Sequence, residues 1–299
     1  MKRVLVTGAS GFIGRACIGP LVSRGFEVHA VARTAVRGAD ARAVWHHHDL
    51  LAPGAAARVV DAVRPTHLLH LAWYAVPAKY WTAPENVDWV AASVALARAF
   101  DRAGGRRFVG AGSCAEYASA DGDCDERSTP LAPATLYGTC KHAVHRVVAA
   151  LAEGRFSFAW GRIFFVYGPH EDPSRLVPSV IGALLAGRDA LCTAGTQVRD
   201  FMHVEDVADA FAALLDSDVE GAVNIASGRP GRIAEVVLSI ARQMNAESLV
   251  RFGARPIPEG ELPSITASIA RLRDEVGWSA WRDLDRGLGD TIAWWRERP

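Results

Sequence analysis

The stretch Val4-Leu-Val-Thr-Gly-Ala-Ser-Gly-Phe-Ile-Gly14 decides the fold, because three glycines follow a short apolar run at intervals of three residues. Apolar residues at helical spacing continue over residues 12–22. A glycine turn between a strand and a helix lets the backbone approach a pyrophosphate, and the helix N-terminus offers unpaired N–H groups to it. The stretch predicts a dinucleotide site at Gly8, Gly11 and Gly14, with a purely structural tight turn as the alternative.

The same alternation of apolar strands and helices continues along the chain. Further strands are predicted at residues 27–32, 43–48, 67–71, 107–110 and 156–166, and further helices at residues 55–63, 86–102 and 137–151. This order predicts an α/β fold with a doubly wound parallel sheet that helices cover on both faces.

Proline and glycine become frequent after Tyr167-Gly-Pro169, and the predicted helices become shorter. We therefore expect a dinucleotide-binding domain at residues 1–168 and a smaller, mainly substrate-binding lobe at residues 169–299. A strand near residues 223–226 is expected to return to the first domain.

Composition indicates a globular protein with no general affinity for polyanions. The 299 residues are half hydrophobic, and 33 basic side chains balance 33 acidic ones, which gives no reason to expect nucleic acid or a membrane surface as partner. Five cysteines without a C-x-x-C pair fit a reducing compartment. The first residues are too short an apolar run for a signal peptide, so a cytoplasmic location is expected.

The end of the second strand bears on the choice of cofactor. Proteins that bind NAD usually place Asp or Glu there to accept from the ribose 2′-hydroxyl, but this chain has Arg33. A guanidinium suits a 2′-phosphate instead, and Arg15 and Arg37 are near enough in sequence to assist. NADP(H) is therefore favoured and NAD remains open. Asp49 is placed to accept from the adenine amino group, or serves only as a turn residue.

A second motif concerns proton transfer. Tyr137 and Lys141 are four residues apart on a predicted helix, so their side chains share one face. A free phenol has a pKa of about 10, and a nearby ammonium together with an oxidised nicotinamide favours its ionised form. Ser113 follows a predicted strand and can hold a substrate oxygen. These three residues are the predicted catalytic groups, and an exposed Tyr–Lys pair is the alternative.

No metal site is expected. Adjacent histidines at positions 46–48 alternate between the two faces of a strand and cannot all reach one ion. Asp121, Asp123 and Asp125 imitate the start of a calcium loop, but Glu126 stands where its turn glycine belongs.

These motifs together resemble the extended short-chain dehydrogenase/reductase family, which contains nucleotide-sugar epimerases, dehydratases and reductases. The resemblance covers nearly the whole chain and includes Thr7 to Gly14, His70-Leu-Ala72, Ser113 with Tyr117, Asp125-Glu126 through Pro133 to Tyr137 and Lys141, Arg162 with Tyr167-Gly-Pro169, Gly195 with Arg199-Asp-Phe-Met-His-Val204, Asn224-Ile225 and Gly277-Trp278. It implies a Rossmann sheet and a homodimer that pairs the helices near 86–102 and 137–151.

The resemblance also implies further binding residues. Cofactor contacts beyond the glycines, Arg33 and Asp49 are expected from Phe12, Ile13, Leu50, Leu71, Ala72, Tyr137 and Lys141. A nucleoside diphosphate sugar is the expected substrate, and its contacts are expected from Trp73, Ser113, Arg175, Arg199 and Arg255. Arg199 and Arg255 would meet the diphosphate. A salt bridge from Arg199 to Asp200 or Asp206 is the alternative, and Trp73 with Tyr74 can equally be ordinary buried aromatics.

Departures from the family pattern narrow the chemistry. Cys114 and Ala115 replace the acidic pair of 4,6-dehydratases, which disfavours dehydration, and Phe165 replaces an asparagine of many epimerases. Because Arg33 favours the NADP pool, the first hypothesis is NADPH-dependent reduction of a nucleoside diphosphate 4-keto-6-deoxy sugar, with Tyr137 as proton donor. The alternative is a 4-epimerase that retains NAD. A third hypothesis is a non-catalytic NADP-sensing protein.

Overall fold

The computed structural model describes residues 2–118 and 122–298, so Asp121 of the rejected calcium loop lies outside the described residues. The strands are β1 (Lys2–Thr7), β2 (Phe26–Ala32), β3 (Ala43–His47), β4 (His67–His70), β5 (Arg107–Ser113), β6 (Asp123–Cys124), β7 (Ser157–Ile163), β8 (Phe165–Tyr167), β9 (Ala190–Leu191), β10 (Val198–Arg199), β11 (Phe201–His203), β12 (Gly221–Ile225), β13 (Gly231–Arg232), β14 (Val250–Arg251) and β15 (Ser264–Ala267). The helices are α1 (Phe12–Ser23), α2 (Ala55–Val63), α3 (Glu85–Arg102), α4 (Leu136–Ala152), α5 (Leu176–Leu185), α6 (Val204–Asp216), α7 (Ile233–Gln243) and α8 (Leu284–Arg296). Short helical turns lie at Cys114–Glu116, Glu247–Leu249 and Arg271–Glu275.

Seven of the described strands form one parallel sheet, in the order β12-β7-β5-β4-β1-β2-β3. The chain runs outward from β1 to β3 and then crosses back, through α2, to the other side of β1. At such a reversal the loops that follow the two central strands diverge and leave a crevice at their carboxyl ends. This arrangement confirms the predicted doubly wound sheet and places the crevice after Thr7 of β1 and His70 of β4.

Helices cover both faces of this sheet. Strand β1 contains three residues with no exposed surface, Val4, Leu5 and Val6, and such a strand needs apolar partners on each side. Helices α1 and α6 supply them on one face, through residues such as Ile18 and Phe211. Helices α2, α3 and α4 supply them on the other.

The C-terminal part of the chain builds a second apolar cluster beyond the sheet. Helices α5, α7 and α8 pack around Ile181, Ile240 and Leu288, which are buried. A small sheet in the order β13-β10-β15-β6 supplies Cys124 and Ala267 to a separate apolar cluster with Tyr117 and Phe164. No helix in the described part of the chain has the length and apolar composition to cross a membrane.

One predicted strand is divided in the structure. The sequence predicted a single strand over residues 156–166, but β7 ends at Ile163 and β8 begins at Phe165. Up to Ile163 the strand pairs with β5 and β12, whereas β8 pairs with β11 outside the main sheet. The prediction of one continuous strand is therefore wrong, since an apolar run does not reveal a change of pairing partner. The division directs the chain towards the C-terminal cluster.

Candidate active site

The glycine turn after β1 is too crowded for side chains. Gly8 has a positive φ of +70°, and a Cβ there would lie 2.7 Å from the backbone nitrogen of Ala72. A Cβ at Gly14 would lie 2.2 Å from the Gly8 carbonyl oxygen. Gly11 precedes α1, and no side chain caps the helix there. The cradle and the uncapped helix N-terminus both fit the pyrophosphate of a dinucleotide.

A chain of buried hydrogen bonds joins the ends of β1 and β4 to α3. The Ser93 hydroxyl donates to the Trp89 carbonyl (2.7 Å), so it accepts from His70 Nε2 (2.8 Å). His70 Nδ1 then accepts from the Thr7 hydroxyl (2.7 Å), whose oxygen accepts the Ala72 N–H (3.3 Å). Burial lowers the pKa of His70 to about 3, which keeps the imidazole neutral. The loops after β1 and β4 are therefore tied to each other and to α3.

The residues expected around the adenosine lie at the ends of β2 and β3. Arg33 and Arg37 are exposed, directly after β2 and four residues later. Asp49 is also exposed, and its Oδ1 accepts the Leu51 N–H (3.1 Å), while Leu50 is buried. The turn role of Asp49 thus leaves its second carboxylate oxygen available. These residues therefore follow the carboxyl ends of β2 and β3.

Arg15 has other partners. Its guanidinium hydrogen-bonds to His170 Nδ1 (2.7 Å) and to the Ser10 carbonyl (2.8 Å). It therefore joins the glycine turn to the segment after β8.

The structure brings Ser113, Tyr137 and Lys141 together. Ser113 ends β5, and its hydroxyl caps the next turn by accepting the Ala115 N–H (3.2 Å). Tyr137 and Lys141 lie one turn apart near the start of α4, which Thr135 caps. The Ser113 side chain lies close enough to Tyr137 to affect its pKa, and the Lys141 Nζ lies 5.9 Å from the centre of the Tyr137 ring.

Lys141 is buried among neutral groups. Its Nζ donates to the Ala111 carbonyl (2.8 Å) and lies 4.0 Å from the centre of the Trp73 ring. Burial lowers the pKa of Lys141 to about 7, and the carboxylate of Glu116 opposes this shift. The ammonium is therefore poised to lose its proton near neutral pH.

Tyr137 lies against three aromatic side chains. The ring centres of Tyr80, Trp81 and Trp73 are 4.8, 5.8 and 6.4 Å from its own, all edge-on. Burial raises the pKa of Tyr137, and the neighbouring Ser113 side chain opposes the rise. In the protein alone desolvation is therefore the larger effect, and the phenol keeps its proton. The lowered pKa predicted from the sequence concerns the complex, in which an oxidised nicotinamide adds its charge to that of Lys141.

A buried asparagine holds the aromatic loop that precedes α3. Asn86 has no exposed surface; its Oδ1 accepts from Trp73 Nε1 (2.7 Å), and its Nδ2 donates to the carbonyls of Tyr80 (2.7 Å) and Ala83 (2.8 Å). The Trp81 carbonyl in turn accepts the backbone N–H of Tyr137. Tyr80 and Trp81 were not predicted as site residues, although an aromatic pair just before a long helix is a signal visible in the sequence.

The three arginines expected to meet the substrate have different surroundings in the structure. Arg199 is only 2 % exposed, stacks on Phe165 at 5.2 Å and pairs with Glu261 (2.9 Å). The salt bridge anticipated from Arg199 to Asp200 or Asp206 is therefore wrong, because both carboxylates bind other groups. Glu261 reaches Arg199 from a loop 62 residues away, which no local pattern reveals.

The other two arginines are exposed. Arg175 stacks on Tyr80 at 5.4 Å and so lies beside the aromatic loop. The backbone N–H of Arg255 donates to the Cys192 carbonyl. Of the three predicted arginines, Arg175 is the one whose aromatic partner also touches Tyr137.

Glu116 is a further site residue that the sequence analysis missed. Its side chain has no exposed surface, and its Oε1 accepts from the Ser113 N–H (2.9 Å) and from Trp160 Nε1 (2.8 Å). Arg162 Nε lies 3.3 Å from its Oε2. A glutamate three residues after a serine is the signature of a capping box, and that signal was present in the sequence.

Comparisons with known proteins agree with this geometry. A model of the NAD dependent epimerase/dehydratase family matches residues 4–226, which is more than half of the chain. A UDP-glucose 4-epimerase of Neisseria meningitidis is 27% identical over 345 residues, covering 100% of this chain and 98% of that protein. A 3-diazoavenalumate denitrifying reductase of a Streptomyces species is 30% identical over 316 residues, covering 96% and 99%.

Among solved structures, MoeE5 in complex with UDP-glucuronic acid and NAD is 30% identical, with a TM-score of 0.85 over 99% of this chain and 100% of that one. The fold, the glycine turn and the family match together confirm the resemblance drawn from the motifs. The chain belongs to the NAD-dependent epimerase/dehydratase family of the extended short-chain dehydrogenase/reductases.

Proposed function

We propose that the protein interconverts two nucleoside diphosphate sugars that differ in configuration at carbon 4, and that it retains a nicotinamide dinucleotide through the cycle. The observation that carries this proposal is the meeting of Ser113, Tyr137 and Lys141 at the end of β5 in a family member. UDP-glucose 4-epimerases that align over the whole chain support the epimerase over the reductase that Arg33 first favoured.

Tyr137, Ser113 and Lys141 would each have a distinct role in this reaction. When bound, the dinucleotide supplies a site that accepts a hydride from carbon 4 and returns it. Tyr137, ionised in the complex, would accept the proton of the hydroxyl on that carbon as the hydride leaves and return it when the hydride comes back, and Ser113 would hold the oxygen by hydrogen bonding. Lys141 supplies positive charge beside Tyr137 when protonated. Trp73, Tyr80 and Trp81 keep bulk water from the phenol.

Binding the diphosphate of the substrate requires a side chain of the C-terminal lobe to move. Arg199 is occupied by Glu261, so meeting a diphosphate would require that carboxylate to move aside. Arg255 and Arg175 are exposed and need no such exchange. We propose that the diphosphate contacts Arg199 and Arg255, while the sugar lies near Arg175 and Trp73.

A second candidate function is NADPH-dependent reduction of a keto sugar nucleotide. Two observations favour it: the exposed Arg33 at the end of β2, and a phenol that keeps its proton and is ready to donate it. A relative whose name describes a reductase, at 30% identity, supports it as well. In this case the cofactor would be NADP(H), exchanged at every turnover.

One experiment separates the two candidates. Freshly purified protein is denatured, the released dinucleotide is identified by mass spectrometry, and intact protein is assayed with UDP-glucose, UDP-N-acetylglucosamine and UDP-glucuronic acid. An epimerase releases NAD and converts one of these sugars without a net change in cofactor. A reductase consumes NADPH, seen at 340 nm, with a 4-keto-6-deoxy sugar nucleotide. Inactivity in both assays would contradict both candidates.

We also propose that the protein is a homodimer through α3 and α4. These helices carry exposed apolar side chains, namely Val87 (56 % exposed) and Val147 (46 % exposed), which a second copy would cover. Light scattering after gel filtration tests this: a dimer mass supports it, and a monomer mass at micromolar concentration contradicts it.

A further inference from the structure

Three potential metal ligands lie close together at the turn that follows Ser113. The Nδ1 atoms of His142 and His145 each lie 4.0 Å from Oε2 of Glu116, and all three donor atoms lie within 4.8 Å of one another. Glu116 is fully buried, and the two histidines are three residues apart on α4, so their rings share one face of the helix. This trio is the only such group of His, Cys, Asp and Glu donors that residues 2–118 and 122–298 provide.

The two imidazole nitrogens have unmet bonding capacity. Both Nδ1 atoms are buried, and neither has a hydrogen-bond partner among the described residues. At 4.0 Å an N–H is too far away to donate to the carboxylate, and without its proton each nitrogen directs a lone pair towards another acceptor. Either state leaves buried polar atoms unsatisfied, which costs free energy.

The Glu116 carboxylate can still accept one more bond on the side that faces the two histidines. Oε1 of Glu116 already takes two hydrogen bonds, from Ser113 and Trp160. Oε2 takes one, a long bond from Arg162 Nε at 3.3 Å. One lone pair on Oε2 is therefore left beside the two imidazole nitrogens. A cation that accepts lone pairs from all three atoms would satisfy each of them.

We propose that Glu116, His142 and His145 form a zinc-binding site. Two imidazole nitrogens and one carboxylate oxygen are a donor set that Zn²⁺ favours, and three protein ligands leave a fourth position for water. Zinc bonds of about 2.0–2.2 Å place tetrahedral ligands about 3.3 Å apart. The two 4.0 Å gaps to Glu116 must therefore close by about 0.7 Å, and the gap between the imidazole nitrogens, at most 4.8 Å, by up to about 1.5 Å. Side-chain rotations of the two half-buried histidines would have to supply these shifts.

Nearby cations weaken the site without blocking it. Arg162 is anchored on its other side, since NH1 donates to the Tyr117 hydroxyl (3.0 Å) and the guanidinium stacks on the Tyr117 ring at 4.6 Å, while its Nε stays 3.3 Å from Oε2 of Glu116. Its charge, and that of Lys141, still repel a metal ion. Zinc is therefore expected to bind more weakly here than in a closed site of four neutral or anionic ligands.

The site would join two elements that carry catalytic groups. Glu116 belongs to the turn that begins at Ser113, and the histidines follow Lys141 on α4. Bound zinc would link that turn directly to α4. This role is structural, and it does not depend on which substrate the protein accepts.

Isothermal titration of the full-length, chelator-treated protein with zinc chloride tests the proposal. We expect one zinc ion per chain, a higher thermal midpoint with zinc, and visible absorption bands of a four-coordinate ion when cobalt(II) replaces zinc. His142→Ala and His145→Ala should each weaken zinc binding at least tenfold. The control is His47→Ala, which removes an exposed histidine from β3 and should leave zinc affinity unchanged.

Two results would overturn the proposal. One is the absence of saturable zinc binding together with a cobalt spectrum identical to that of free aqueous cobalt. The other is equal zinc affinity in His142→Ala, His145→Ala and His47→Ala. The cobalt spectrum of the unmutated protein keeps the test decisive even where a variant folds poorly.

Discussion

The ammonium nitrogen of Lys141 lies 4.0 Å from the centre of the Trp73 ring, and the lysine is only 4 % exposed. The same nitrogen donates to the Ala111 carbonyl, and the carboxylate of Glu116 is the charge that favours its protonated form. Cation–π contact and one hydrogen bond replace only part of the hydration that an ammonium loses on burial. The positive charge of Lys141 is therefore held at a cost to stability.

This cost predicts a pH-dependent gain for Lys141→Met. The pKa of Lys141 falls from 10.5 in the unfolded chain to about 7 in the folded protein, so the penalty is full below pH 7 and vanishes as the pH rises to 10.5. We expect the variant to exceed the unmutated protein by about 1–3 kcal/mol in free energy of unfolding at pH 7. Urea denaturation at pH 7 and pH 10 measures it, and the gain should shrink at pH 10. A gain that does not change with pH would contradict the assignment.

The glycine turn predicts a sharp difference between two Gly→Ala changes. At Gly14 a Cβ would lie 2.2 Å from the Gly8 carbonyl oxygen, so Gly14→Ala should destabilise the protein by about 2–3 kcal/mol and abolish dinucleotide binding. Gly182, inside α5, has no contact within 4 Å of the corresponding position apart from its own helix backbone and chain neighbours, and Gly182→Ala should stabilise by about 0.5–1 kcal/mol. Thermal denaturation and dinucleotide fluorescence titration report both effects. Normal dinucleotide affinity in Gly14→Ala would show that the turn does not cradle the cofactor.

Cofactor choice depends on Arg33. If its guanidinium meets a 2′-phosphate, Arg33→Glu should weaken NADP binding by about 10- to 100-fold, the equivalent of one charge-assisted hydrogen bond, and leave NAD binding no weaker. Arg188→Glu makes the same change of charge at an exposed position after α5 and serves as the control. An equal loss of NADP affinity in both variants, or no loss in either, would show that Arg33 does not contact the cofactor. Titrations of each dinucleotide at one fixed salt concentration measure this.

The elements of the main sheet were predictable because their signals are local. Helix α2 has the predicted bounds, and β1 with α1 follows directly from the glycine pattern. Each of these elements needs only an apolar repeat and a turn residue within about a dozen positions. Pairing partners are not encoded in this way, which is why the division of the strand at Phe164 was missed.

The missed site residues depend on contacts between distant segments. Glu116 has a visible capping signal, but its burial comes from Trp160 and Arg162, more than 40 residues away. Asn86 holds the aromatic loop through Trp73 and Tyr80, which lie 13 and 6 residues before it. The burial that raises the pKa of Tyr137 likewise depends on the packing of the aromatic loop, which no local sequence pattern reveals.

The most direct test of the account is the turnover of Tyr137→Phe with whichever sugar nucleotide the unmutated protein converts. Loss of the phenol's proton should reduce turnover by about 10²- to 10⁴-fold while dinucleotide affinity stays unchanged, and Tyr74→Phe, a partly buried tyrosine in the same loop as Trp73, should retain full turnover. Turnover in Tyr137→Phe equal to that of the unmutated protein would contradict the account.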